Sequence, residues 1–164
     1  MLRTIKQKIL KITDKRSSFQ RAIDWIKRHR IPDSGIVVHH KTTTVTPEVT
    51  GYLITSLYNA GEKVLAIDLA KWEASIQKPD GAFAAPGSNV SYTFDTAQVI
   101  RGFLSVLDDL PQLKENLVRA CDFVERHIDQ NGEIQTPDDS IWNLPGGRKL
   151  SAYCNLYNIA PLLE

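Results

Sequence analysis

The chain has 164 residues, of which 42% are hydrophobic and 24% charged, and a net charge of +1. That length can bury one core, and the absence of any run of eighteen apolar residues excludes a transmembrane helix of ordinary length. The charge is uneven: the first thirty residues hold ten Lys or Arg against Asp14 and Asp24, a balance of +8 that leaves −7 for the remainder. The N-terminus lacks the apolar stretch of a secretory signal. Cys121 and Cys154 both fall in predicted helices, so a reduced, cytoplasmic protein is the expectation.

Residues 2–12 place Leu2, Ile5, Ile9 and Ile12 on one side of a basic helix. Such a helix can pack on the body, or meet anionic lipid or polysaccharide. Basic charge can also attract nucleic acid, but no nucleic-acid motif accompanies it and that partner is not expected. Ser17 and Gln20 resemble a capping box that opens a helix through Phe19, Ile23 and Ile26. The helix should end near Ile31-Pro32-Asp33-Ser34-Gly35, and residues 36–45, with His39 and His40, read as an extended loop or short ribbon. Thr46-Pro47-Glu48 is a helix start, with Thr as N-cap and Pro at the first position. Val49, Leu53 and Leu57 form the face of this helix, and Asn59-Ala60-Gly61 closes it.

Leu65, Leu69, Trp72 and Ile76 then mark one apolar face of a third helix, which Lys78-Pro79-Asp80-Gly81 stops. A fourth begins near Phe94-Asp95, capped by Thr93 or Asp95, with Ile100, Phe103, Leu104 and Leu107 on its face. Pro111 opens a fifth, with Leu113, Leu117, Cys121, Val124 and Ile128. A long loop carrying Trp142 and Gly146-Gly147 leads to a sixth, at 151–163. The turns Asp33-Ser34-Gly35, Asp80-Gly81 and Asn131-Gly132 follow Trp25, Trp72 and Phe123 at spacings of 47 and 51 residues. A period near 50 with two helices per unit predicts helical hairpins that bury their faces against one another. The expected organisation is a basic helix at 1–16 followed by hairpins at about 17–61, 62–109 and 110–164.

Trp72, Gln77, Gly81 and Phe83 resemble the QW-type repeat of terpenoid cyclases and their α/α-toroid relatives. That repeat usually carries an aliphatic residue after the first aromatic and Trp at its end, where this chain has Glu73 and Phe83. The segments TPEVTGYLI, IQKPDGAF and FDTAQVIRGFL are similar to bacterial toroid proteins of surface-polysaccharide clusters. Six-hairpin glycosidases are the sugar-acting branch of the same superfamily. The resemblance implies an all-α fold of repeated α-hairpins. Three hairpins stand where a ring needs six, so an open half of a toroid is expected, either as a truncated half or as an arc completed by self-association or a partner. The chain has neither the DxDD acid motif of squalene-type cyclases nor the Asp-x-Cys zinc motif of prenyltransferases, which leaves terpenoid chemistry the weakest reading. A carbohydrate-active or carbohydrate-binding protein comes first and a non-catalytic helical-repeat interaction module second.

Glu48 and Asp95 stand at the start of the second helix of successive hairpins. Two carboxylates at one cavity mouth can act as acid and base on a glycosidic bond; helix N-termini also stabilise acids without any catalytic role. Tyr52, Tyr92, Phe94, Trp142 and Tyr153 offer aromatic faces near the same mouth. Lys149 stands near the corresponding place in the third hairpin, and an acidic oligosaccharide between carboxylate and ammonium is the ligand this suggests. No cofactor and no metal are expected: adjacent His39 and His40 point to opposite sides of an extended chain.

Overall fold

The computed structural model describes residues 16–135 and Leu162, so Trp142, Lys149, Tyr153, the basic segment 2–12 and the expected sixth helix lie outside the described residues. The described fold is largely α. Helix α1 spans Ser18–His29, α2 Pro47–Asn59, α3 Lys63–Ile76, α4 Thr93–Val106 and α5 Lys114–Glu125, the last entered through a 3-10 turn at Pro111–Leu113. Strands β1 (Phe83–Ala84) and β2 (Ser91–Tyr92) pair antiparallel, Phe83 opposite Tyr92.

Helix α1 starts as its sequence requires, since the Gln20 N–H donates to Ser17 Oγ at 3.0 Å. The Gln20 side-chain amide donates to Asp24 Oδ1 one turn on. Ile23 of its expected face is buried, whereas Phe19 is 60% exposed. Pro47 opens α2 without a side-chain cap from Thr46. The hydroxyl that matters lies one turn later: Thr50 donates to Thr46 O at 3.0 Å and accepts from the Ile36 N–H at 2.9 Å. Thr96 repeats the device in α4, donating to Tyr92 O and accepting from Phe83 N–H at 2.6 and 3.0 Å. Tyr92 holds the cap position of α4, so neither Thr93 nor Asp95 caps it as the sequence suggested.

One hydrogen-bonded turn recurs among the described residues. Ile31 N–H donates to Gly35 O and Ser34 N–H to Ile31 O; Lys78 with Ala82 and Gly81, and Asp129 with Glu133 and Gly132, repeat both bonds. Gly35 rests against the ring of Trp72 on α3, and Gly81 against the Arg119 carbonyl on α5. The first turn therefore seats on α3 and the second on α5. Gln77 reinforces the second seat: its Nε2 donates to Gly81 O at 2.9 Å and Asn116 O at 2.8 Å, and its Oε1 accepts from Asn116 Nδ2 and Arg119. Replacing Gln77 by Ala strands these groups and is expected to lower the unfolding free energy by about 2–3 kcal/mol. Urea denaturation measures it, and a loss under about 0.5 kcal/mol would mean that water replaces the amide fully.

Helix α4 is the axis of the fold, with ten of its fourteen residues buried. It meets α2 backbone to backbone: a Cβ on Gly102 would stand 2.6 Å from Gly51 O, and one on Gly51 would stand 2.8 Å from the Gln98 carbonyl. The expected α3 face needs correction. Leu65, Ala66, Leu69, Ala70 and Glu73 are buried, while Ile76 is exposed. The stripe follows steps of four rather than rotating onto Ile76, and that rotation carries a carboxylate into the core. In α5, Phe123 and Ala120 are buried, whereas Cys121 is half-buried. Ile128 lies past the helix end and bridges to Ile134. The loop at 36–45 forms isolated bridges, Arg30 to Ile36 and Val37 to Val45. The paired ribbon occurs in the next loop instead, where Gly87 at φ 69° turns β1 back onto β2.

Candidate functional site

The first turns of α2 and α4 and the C-terminal half of α3 bring three carboxyls into one another's field. Glu48 is the second residue of α2 and half-buried; burial raises its pKa above the usual carboxylate range. Asp95, third in α4 and 1% exposed, is pushed up to about 7, first by burial and then by the Glu48 charge. Its own backbone N–H pulls the other way without compensating. A helix N-terminus favours a carboxylate by about 1 kcal/mol at most sites, so loss of water outweighs the dipole here. Glu73 is fully buried, and burial followed by the Asp95 charge holds it well above the ordinary value. Both Glu73 carboxyl oxygens, Asp95 Oδ1 and Gln98 Nε2 are buried without a hydrogen-bond partner.

Tyr52 lies one turn beyond Glu48 on the same face of α2. Burial, then the Glu48 charge, raises its phenol pKa. Tyr52 is 37% exposed and lines a groove of about 380 Å3 with Trp25, Ile26, Val38, Val49 and Leu53. The Glu48 charge thus bears on Tyr52 and Asp95, and the Asp95 charge on Glu73 in the core.

The fold has a solved likeness. The chain is similar in structure to a protein described as a novel alpha-amylase from Clostridium perfringens, with a TM-score of 0.54 and 18% sequence identity. The match covers 66% of this chain and 37% of that one. At this identity the likeness is one of fold. No protein-family model matches the chain, and no curated protein matches it either.

Of the residues expected from sequence, Glu48 is half-buried on α2, its charge bearing on Tyr52 and on the buried Asp95. Tyr92 is buried in β2 and Phe94 half-buried beside Asp95. Trp142, Lys149 and Tyr153 lie outside the described residues. One expectation is corrected. Glu48 and Asp95 do not share a register, because Glu48 precedes the clamping threonine of its helix by two residues and Asp95 by one. The Ile36–Thr50 clamp closes fourteen residues and the Phe83–Thr96 clamp thirteen. The counterpart of Glu48 is Phe94, that of Asp95 is Val49, and that of Tyr52 is Gln98. One residue rotates a side chain by about 100° around a helix, so the two acids reach each other from different faces. Glu73, Gln98 and Trp25 were not anticipated as site residues. Glu73 had a visible signal, a charge four residues beyond Leu69 on an apolar stripe and in a place the QW-type repeat gives to an aliphatic residue.

Among the described residues, no group of three or more His, Cys, Asp or Glu is placed to hold a metal ion. Among the same residues no helix is long and apolar enough to cross a membrane.

Proposed function

We propose that this is a carbohydrate-active or carbohydrate-binding protein of bacterial surface-polysaccharide metabolism, built from repeated α-hairpins as an arc of an α/α toroid and working in the cytoplasm. Support for the arc comes from the recurring turn, from the Thr50 and Thr96 clamps and from the seating of Gly35 and Gly81 on following outer helices. The fold likeness to a protein described as an alpha-amylase supports a sugar ligand. Self-association, or a partner completing the ring, follows from the same reading.

The observation that carries the site is Asp95, a buried carboxyl titrating near 7 beside the half-buried Glu48. Near neutrality Asp95 holds a proton part of the time, which suits a general acid, and the more accessible Glu48 suits a general base or a ligand for sugar hydroxyls. Trp25 and Tyr52 supply the flat faces on which sugar rings stack. Titrating neutral, acidic and basic oligosaccharides into the parent, Glu48→Gln and Asp95→Asn tests this. Binding by the parent and at least tenfold weaker binding by both variants, with unchanged circular dichroism, is the expected result. No binding by the parent, or equal binding by all three, removes the site.

The largely apolar groove also suits a second reading, a helical-repeat interaction module. A module of that kind would bind no oligosaccharide and would lose its partner when Val38 or Tyr52 is changed to Asp.

A further inference from the structure

Successive hairpins pack through contacts that recur along the chain, and each end of the described fold shows one half of such a contact uncovered. At the spacings of 47 and 51 residues, Phe19 and Ala22 of α1 correspond to Ala66 and Leu69 of α3 and to Leu117 and Ala120 of α5. The α3 and α5 residues are buried, whereas Phe19 and Ala22 are exposed. The inner helices show the same gap. Gly51 of α2 lies against the backbone of Gln98 and Val99 on α4. Their counterparts on α2, Tyr52 and Leu53, instead line the groove with Trp25 and Val38. The groove is thus the place on the first hairpin that corresponds to the seat of α2 on the second.

The other end carries the matching half. Lys27 of α1 reaches Glu62, before α3, at 2.7 Å, and Gln77, after α3, reaches Asn116 and Arg119 of α5. In the third hairpin Glu125 and Ile128 stand in the places of Lys27 and Gln77. Ile128 is 38% exposed. Val118, two turns before Glu125 on the same face, is 49% exposed, while its α3 counterpart Ile67 packs against the core. Gly132, the counterpart of Gly81, meets nothing among the described residues within 4 Å of a built Cβ. Charge also suits the two ends to each other. Residues 16–30 hold five Arg or Lys against Asp24, and residues 114–133 hold five Asp or Glu against Lys114, Arg119 and Arg126.

We infer that the exposed face of α1 and the groove between α1 and α2 take the α5 flank of a second copy of this chain, head to tail. The inference rests on the hairpin-arc reading above and names the partner as the chain itself. The contact is heterologous: each copy presents one flank of each kind, so association continues until a ring closes. Phe19 and Ala22 of one copy and Val118 and Ile128 of the other leave water together, and the unlike charges around them fix the direction of the contact. The counterpart of Glu62 in the first hairpin is Lys15, so the Lys27–Glu62 pair has Glu125 and Lys15 as its equivalent between copies, with the signs exchanged. A sugar stacked on Trp25 and Tyr52 would take up the same groove, so sugar and second copy compete there.

One change on each flank separates this contact from a symmetric one. Phe19→Asp blocks α1 and Val118→Asp blocks α5; both positions are exposed, so circular dichroism should stay that of the parent. Sedimentation equilibrium on the full chain, without sugar, is expected to show the parent associating and each variant alone associating at least about tenfold more weakly. Mixed in equal amounts, the two variants should form a one-to-one pair, because each supplies the flank that the other has lost. Ile128→Asp in place of Val118→Asp should give the same pairing. A monomeric parent overturns the inference and leaves the two flanks to other segments or partners. A Val118→Asp variant that associates as the parent does, or a mixture of folded variants that forms no pair, overturns it as well. All three outcomes leave the arc standing, which falls separately if Gly81→Ala proves no more damaging than Gly132→Ala.

Discussion

Raising the pH from 5 to 8 is expected to destabilise the ligand-free protein by about 2–3 kcal/mol through Asp95 alone. Its carboxyl titrates near 4 in the unfolded chain and at about 7 in the fold. Between those values the native state holds a proton that the unfolded state has lost. Stability therefore falls as pH rises through that window, and above 7 the whole penalty, on the order of 4 kcal/mol, is in place. Glu73 acts in the same direction, since burial and the Asp95 charge raise its pKa too. The four ion pairs among the described residues contribute little on this scale. Asp95→Asn should flatten the profile and, at pH 8, stabilise the protein by about 2–4 kcal/mol. Urea unfolding at pH 5, 6, 7 and 8 on the parent and Asp95→Asn measures both effects. A parent that grows more stable toward pH 8, or an Asn variant weaker than the parent there, would mean that the carboxylate is well solvated or paired.

A cost of that size at one residue is unusual against total stabilities of about 5–15 kcal/mol. Sites that break a local rule without structural gain are commonly functional. Glu73 breaks the apolar stripe of α3 and Asp95 the burial rule of α4. Both do so at one place, beside the half-buried Glu48, which is why the site reading is centred there rather than on the surface charges.

The helices were legible because their boundaries are written in local chemistry. Pro47, the Asn59-Ala60-Gly61 stop and the Lys78–Gly81 turn all act within a few residues, and each helix end falls where they place it. The 47- and 51-residue spacing was legible for the same reason, since the turn bonds at Ile31, Lys78 and Asp129 recur at those intervals. Rotation of each helix about its axis was less legible. Ile76 faces water and Glu73 the core because α3 must fit against α4, a constraint that no window of α3 contains. The register of the two acids failed likewise: the two clamped loops differ by one residue, and only the bonds of Thr50 and Thr96 reveal which residues correspond. Burial of nearly the whole of α4 was hidden too, because Thr93, Thr96 and Gln98 read as polar positions until their surroundings are known.

Gly81→Ala is expected to be among the most damaging single-methyl additions to the fold, costing about 2–5 kcal/mol. Two independent penalties meet there. Gly81 has φ 91°, a conformation that costs a residue with a Cβ about 1–2 kcal/mol. A Cβ would also stand 2.1 Å from the Arg119 carbonyl oxygen and 2.7 Å from its carbon. Both are backbone atoms of α5, so the helix itself must move, and overpacking of this kind costs about 1–3 kcal/mol. Gly132 and Gly35 separate the two terms. Gly132 has φ 80° with nothing within 4 Å of a built Cβ, so Gly132→Ala should show the conformational cost alone, about 1 kcal/mol. At Gly35 a Cβ would stand 2.3 Å from the Trp72 ring and 2.7 Å from the clamping Thr50 Oγ1, both side-chain atoms. Side chains can give where the α5 backbone cannot, so Gly35→Ala should fall between the other two. The expected order of destabilisation is Gly81, then Gly35, then Gly132, read from urea midpoints at one pH. Equal effects at Gly81 and Gly132 would show that α5 does not rest on the second turn.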